Sequence, residues 1–495
     1  MHFSMQPLRS LIRRAEFSLD EGDLNCALGI VHGFVEQIIT NPIFTSQIYA
    51  SRDLDALCLK IGRHHLAGLV RSSRPLRSVQ VNKPLNIYLV SRLQRSGGHS
   101  RLVQDFIRAQ PCKEHLILST EVGGPSDASH FVKCFAEEGN VRLVRAPGGN
   151  MKARLNWLQS TLLALRPEHV YLFNHHQDSV AVAALVPELG LAGSFCHHGD
   201  HHLCLGVYTP HLTHLDFHPM GYHYCQSELG IDNCYLPLTF EDKLTARASQ
   251  YVTSGNPWLT TATAARFNKV ELPYCVSYLD LIPEVLATTK GRHLHIGKLT
   301  PWGLRRMHAN LSRKGIPCDR FIYMEWSPSV WESLAAHQVD IYLASFPYGA
   351  ALTLIEAMGA GLPVIMHQHL YSRVLSCLEL AYEEAFSWAD PQALLNHLAH
   401  LTPESLQREG MLSRRRYEQH HRPEILKMYL DGDYCIDLAV PSLRKDFQPR
   451  WDEWAAWVES QMTWCHLCQL NGFRFLRKLR LWLSSIQTKN GRFFL

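Results

Sequence analysis

Asp340-Ile-Tyr-Leu-Ala-Ser-Phe-Pro-Tyr-Gly-Ala-Ala-Leu-Thr-Leu-Ile-Glu-Ala-Met-Gly-Ala-Gly-Leu-Pro-Val-Ile365 reads as strand, turn, helix and strand. Ile341 to Ala344 is a short apolar run, and Phe346-Pro347-Tyr348-Gly349 breaks it. Leu352 to Gly359 has helical character, Gly361-Leu362-Pro363 stops it, and Val364-Ile365 opens the next strand. A turn of small residues that runs into a helix leaves the first backbone N–H groups without intrahelical acceptors. Together they carry a positive partial charge of about half an electron, which suits a phosphate or diphosphate. Gly349, Ala350 and Ala351 would offer N–H groups there, Thr353 a hydroxyl, and Tyr348 stands beside them. Glu356 lies one turn inside the helix, where a carboxylate can accept hydrogen bonds from a ribose.

The rest of the chain repeats this alternation. Leu85 to Val90, His115 to Ser119, Val141 to Val144, His169 to Phe173 and Leu191 to Phe195 read as strands separated by helical stretches. A second series starts near Tyr251 and runs through Arg292 to Lys298, Arg320 to Tyr323 and Val339 to Leu343. Alternation of this kind predicts parallel, doubly wound sheets that bind ligands at the carboxyl ends of their strands. The expected organisation is a helical N-terminal region over 1–82, Rossmann-like domains over 83–245 and 246–425, and a helical extension over 426–495.

At 495 residues, 46 % hydrophobic and 19 % charged, the chain can bury more than one core. A net charge of +4 does not argue for nucleic acid. Fourteen cysteines spread over this length fit reduced thiols rather than a disulfide framework, and Cys465-His-Leu-Cys468 has no second pair to complete a zinc site. No apolar run of 18 residues and no signal-type apolar stretch occurs, so a cytoplasmic protein is expected. Residues 474–486 are basic and amphipathic, and suit either the inner face of a membrane or packing against the body.

Polar clusters follow several strands. Ser96-Gly97-Gly98-His99-Ser100-Arg101 comes after the first one. Its glycines allow close backbone approach, His99 can touch a sugar or an acceptor, and Arg101 can help neutralise phosphate. Asn174-His175-His176-Gln177-Asp178 follows the fourth strand, where His175, His176 and Asp178 could line an acceptor site or cap the loop. Cys196-His197-His198-Gly199-Asp200-His201-His202 follows the fifth. Three readings of it stand: an Asp200–His pair that removes a hydroxyl proton, with His198, Asp200 and His201 as candidates; a structural loop; and a metal site. In the second series, Ser254-Gly255-Asn256 and Gly297-Lys298 are the turns that would complete a phosphate pocket, with Lys298 as its cation.

Glu356-Ala-Met-Gly-Ala-Gly-Leu-Pro-Val-Ile365 resembles the sugar-nucleotide signature of group 1 GT-B-fold glycosyltransferases. Phe346-Pro-Tyr-Gly-Ala-Ala-Leu-Thr353 is similar to the Pro-x-x-Gly-Gly-x-Thr turn of the protein O-GlcNAc transferase-like family. Many group 1 enzymes carry a glutamate where this chain has Tyr348, so the choice between retention and inversion stays open. The resemblance implies an α/β chain of GT-B type, with two Rossmann-like domains facing across a cleft. It implies transfer of a hexosyl or N-acetylhexosaminyl group from a nucleotide diphosphate-sugar, a UDP-sugar first, to a glycan, a lipid-linked or a protein acceptor. It implies no cofactor and no metal, because helix dipole and basic side chains offset the diphosphate charge. A sugar-nucleotide 2-epimerase of the same fold, a non-catalytic binding protein on a decayed scaffold, and a metal-dependent hydrolase that uses the histidine cluster are the alternatives.

Overall fold

The computed structural model describes residues 6–40, 44, 46–72, 84–95, 97–135, 139–243, 258–432 and 439–461. Ser96, Ser254, Gly255, Asn256, Cys465, Cys468 and the basic stretch 474–486 lie outside the described residues. The chain divides into two compact units, one of residues 1–215, 231–233 and 452–495, the other of 216–230 and 234–451. Among the described residues no helix is long and apolar enough to cross a membrane.

In the first unit three helices come first: α1 (Gln6–Asp20), α2 (Leu24–Ile39) and α3 (Arg52–Ser72). Sequence spacing predicts a short helix that Gly62 closes, yet α3 runs ten residues past it. A Cβ at Gly62 would stand 1.9 Å from the Ala183 carbonyl oxygen, so this glycine serves close helix approach rather than helix termination. The alternating part then runs β1 (Leu85–Val90), α4 (Gly98–Ala109), β2 (Glu114–Ser119), α5 (Ser129–Cys134), β3 (Val141–Arg145), α6 (Met151–Leu165), β4 (His169–Phe173), α7 (Ser179–Ala184), β5 (Gly193–His197), β6 (Thr213–Asp216), α8 (Pro219–Ser227) and β7 (Asn233–Tyr235), of which Asp216, α8 and the end of β7 are counted with the second unit. The strand order is β3-β2-β1-β4-β5-β6-β7. β1 pairs in parallel with β2 and β4, and all six of its residues are buried, as expected of a central strand covered on both faces. β3 at the edge exposes Arg142 and Arg145, charges that discourage pairing with another strand.

The second unit repeats the plan with β8 (Leu259–Ala264), α9 (Phe267–Val270), α10 (Tyr278–Thr289), β9 (Lys290–Ile296), α11 (Pro301–Arg313), β10 (Phe321–Met324), α12 (Val330–Ala336), β11 (Ile341–Leu343), α13 (Ala351–Gly359), β12 (Val364–His367), α14 (Arg373–Ser376), β13 (Ser387–Trp388), α15 (Pro391–Ala399), α16 (Pro403–His420) and α17 (Pro423–Asp431). Its order is β10-β9-β8-β11-β12-β13, parallel throughout. A core that includes Tyr278, Ile282, Leu286, Phe321, Ile341, Phe346 and Trp388 fills one face. In both units the first strand of the sheet sits beside the fourth, with the second and third on its other side. That reversal makes a crevice at the carboxyl ends of β1 and β4, and another at those of β8 and β11.

Candidate active-site residues

In the second unit, α13 begins at the crevice of β8 and β11. Its N-cap residue Ala350 supplies no capping side chain, so the first-turn amides of Ala351, Leu352 and Thr353 depend on something other than their own helix. The amides just before it are spent inside the protein: Tyr348 N–H donates to Lys269 O at 3.3 Å and Gly349 N–H to Leu375 O at 2.8 Å. The expected offer of the Gly349 amide to a diphosphate is therefore corrected. A Cβ at Gly349 would meet Cys377 Sγ at 2.7 Å and Leu375 O at 2.8 Å, so the glycine is needed for close packing. The Thr353 hydroxyl also turns inward, to Tyr342 Oη at 2.8 Å, Ala350 O at 3.1 Å and Ala264 O at 3.3 Å, and ties the start of α13 to both strands. Glu356 is buried, and its Oε2 accepts the Trp331 N–H of α12 at 3.1 Å.

The cation at this bend is one that sequence reasoning missed. Lys269, on the short α9 after β8, donates its ammonium to the Gly349 carbonyl. The signal was Arg266-Phe-Asn-Lys269 just after a threonine- and alanine-rich strand, hidden because the first strand of this half was expected near Tyr251 rather than at Leu259–Ala264. Lys298 stands after β9, on the far side of β8 from β11. Its half-exposed side chain pairs with Glu325 at 2.9 Å, and that carboxylate raises the ammonium's pKa.

In the first unit, α4 starts at Gly98 instead of Leu102, so His99 and Arg101 belong to its first turn rather than to a loop. Gly97, at φ +139°, makes the N-cap. Arg101 pairs with Asp105 at 2.9 Å along the helix. The His99 Nε2 nitrogen is 2.8 Å from the Phe173 carbonyl at the end of β4. A carbonyl only accepts, so Nε2 carries the hydrogen and Nδ1 is left as a bare acceptor. Among the described residues Nδ1 has no hydrogen-bond partner. The His198 Nδ1 nitrogen likewise faces the Cys196 carbonyl at 3.2 Å, which leaves its Nε2 bare. The ring of His99 lies 4.5 Å from that of His198 and 4.9 Å from that of His175. Burial lowers the pKa of His99 to about 4 and of His175 to about 3, with Arg92 adding to both, and holds His198 well below the usual range. All three rings are neutral at pH 7, the form that accepts a proton.

A second histidine group adjoins the first: the ring of His176 is 5.2 Å from His201 and 5.7 Å from His202. Of the expected Asp200–His pairings, Asp200 and His201 stand at 3.7 Å, beyond hydrogen-bond length, and Asp200 is buried while His201 is partly exposed. His197 ends β5 rather than beginning the loop, and faces His214 at 3.3 Å on the strand's inner side. Asp178 is fully buried, so it does not line an acceptor surface. Its carboxylate accepts from Ser91 Oγ and Thr120 Oγ1 at 2.6 Å and caps α7 through Ala181 N–H at 2.9 Å. Ser91 Oγ in turn accepts the His175 N–H at 2.8 Å, so Asp178 acts by fixing the backbone that presents His175.

No protein-family model and no curated protein sequence matches the chain. Solved structures do. HepE of Anabaena, solved with UDP and glucose, superposes with a TM-score of 0.52 at 10 % identity, over 71 % of this chain and 99 % of its own. A mutant O-GlcNAc transferase of Thermobaculum terrenum superposes with a TM-score of 0.50 at 15 % identity, over 86 % of this chain and 82 % of its own. A glycosyltransferase from Rickettsia africae gives 0.52 at 11 % identity, over 72 % of this chain and 98 % of its own. At such identities the likeness speaks to the fold, and the chain has the GT-B fold that the motif at 340–365 resembles.

Proposed function

We propose that this protein is a glycosyltransferase that moves a sugar from a nucleoside diphosphate-sugar, a UDP-sugar first, to a hydroxyl-bearing acceptor. One observation carries the reading: the open N-terminus of α13 and the Lys269 ammonium meet at the crevice of β8 and β11. A departing diphosphate gains charge as the glycosidic bond breaks. Amides of a helix start and an ammonium fixed beforehand stabilise that charge without reorganising, which is where electrostatic catalysis is most effective. Relatives in fold that were solved with UDP and with UDP-glucose support the choice of nucleotide. No metal step is needed in this scheme, since cation and dipole already offset the charge.

The first unit contributes the base. His99 is assigned that role, because its tautomer is pinned by Phe173 O and its Nδ1 is left as a bare acceptor; that nitrogen is itself buried, so an acceptor hydroxyl reaches it only when neighbouring side chains move aside. His198 and His175 shape the same neutral surface, and Asp200, His201 and His176 stand beside it. The acceptor is a glycan, a lipid-linked or a protein hydroxyl.

A thermal-shift screen with UDP, GDP, ADP and CMP tests the donor half. A ligand at a hundred times its Kd adds about 2.7 kcal/mol, so one nucleotide should stand clear of the others. Lys269→Ala should abolish that shift. Equal shifts with all four nucleotides, or a full shift in Lys269→Ala, would sink the reading. Incubation with the UDP-sugar alone separates transfer from 2-epimerisation, which yields an altered sugar nucleotide without any acceptor.

A further inference from the structure

The loop that carries His201 and His202 is fastened to the segment between α2 and α3 and to α3 itself. Ser46 N–H donates to His201 O and Cys204 N–H to Tyr49 O, both at 2.9 Å. The Arg52 guanidinium lies over the Tyr208 ring at 4.2 Å. The strongest tie comes from Asp55 on α3, which is fully buried. Its Oδ1 accepts Gly206 N–H at 2.7 Å and its Oδ2 accepts Tyr208 N–H at 2.9 Å. Between these fastenings Leu205 reaches the neighbouring histidine loop: its N–H donates to His176 O at 2.9 Å, and its carbonyl accepts Asn174 Nδ2 at 2.8 Å.

The chemistry at Asp55 is specific. Two amides converge on one side chain, and a carboxylate answers both. An asparagine offers one oxygen and sets its own N–H₂ against the second amide. Gly206 sits at φ +102°, and a Cβ there would be 2.8 Å from the Phe195 ring, so this turn requires glycine. Ionising Asp55 there is costly, since burial pushes the carboxyl up to about 7 against the pull of the two amides. An apolar side chain would brace a helix here without that cost.

We propose that Asp55 is a positioning residue for the histidine loop, so that α3 is a working part of the acceptor half. The catalytic side of this proposal rests on the glycosyl-transfer reading; the positioning side does not. The test compares the full-length chain with Asp55→Asn, which keeps the side-chain volume, and with Val35→Ala, a buried change in α2 that weakens packing without touching these hydrogen bonds. Carbethoxylation by diethyl pyrocarbonate at pH 7, followed by peptide mapping, reports access to each histidine. His202, 7 % exposed, should react about tenfold faster in Asp55→Asn, the size expected from loss of one buried hydrogen bond, and at the parent rate in Val35→Ala. Unchanged His202 reactivity in Asp55→Asn, or an equal rise in Val35→Ala, overturns the positioning role. In a transfer assay Asp55→Asn should lower kcat and leave the donor KM and the UDP thermal shift unaltered; parental kcat overturns the catalytic side. A parent chain that transfers no sugar from any donor refutes the proposed function alone, while the reactivity ratio still decides what Asp55 does.

Discussion

The two units share one strand order and differ in what stands at the crevice it creates. At β8 and β11 the protein offers a helix start and an ammonium, positive groups suited to a diphosphate. At β1 and β4 it offers imidazoles that burial keeps uncharged, their tautomers fixed by backbone carbonyls. On the proposed reading, the same scaffold carries an anion site in one copy and a set of neutral proton acceptors in the other. Topology selects where chemistry happens, and side chains select which chemistry.

That contrast breaks first if its two halves cannot be separated by mutation. His99→Ala should cut kcat by roughly 10²–10⁴-fold and leave the UDP thermal shift intact; loss of the shift would mean that the first unit also binds donor. Lys269→Ala should lower kcat/KM by roughly 10²–10³-fold and remove the shift, with the mirror-image failure if the shift survives. Acid sharpens the electrostatic side. His99, His175 and His202 titrate at about 4, 3 and 2 in the folded protein, against 6.5 when released. Below 6.5 the unfolded chain binds protons that the folded rings refuse, so stability is complete above pH 6.5 and falls as pH drops toward 4. Urea midpoints at pH 7.5, 6 and 5 should decline in that order, and a flat series would contradict neutral buried rings. Gly349→Ala should cost about 1–3 kcal/mol of stability from overpacking against Cys377 and Leu375, read as a lower melting temperature. The smallest effect belongs to Lys298→Ala, which should leave the UDP shift unaltered because that ammonium is paired with Glu325 on the surface; a lost shift there would restore Lys298 to the donor site.

Much of this was legible in residue order. The strand–turn–helix–strand reading of 340–365 matches β11, α13 and β12. Polar clusters do follow β1, β4 and β5, although Cys196 and His197 lie in β5 itself and His99 and Arg101 in α4. What misled was role rather than place. Asp178 reads as a loop carboxylate, but its neighbours in space, Ser91 and Thr120, come from two other strand ends. Glu356 reads as a ribose acceptor one turn inside the helix, but it is buried and its Oε2 accepts the Trp331 N–H of α12. Gly62 and Gly349 read as a helix stop and a phosphate loop, whereas both are glycines because another backbone passes too close for a Cβ.

The sequence by itself determined the elements, because hydrophobic period, glycine, proline and capping residues act over a few positions. It also determined that one helix would begin at a small-residue bend. Tertiary structure decided which side chains work together. Lys269 reaches Gly349 across 80 residues because β11 lies beside β8, with β9 and β10 placed on the other side. His99 reaches Phe173 across 74 residues because β4 lies beside β1 in the same way. Local chemistry does not encode that crossover; it follows from how right-handed βαβ connections stack a parallel sheet.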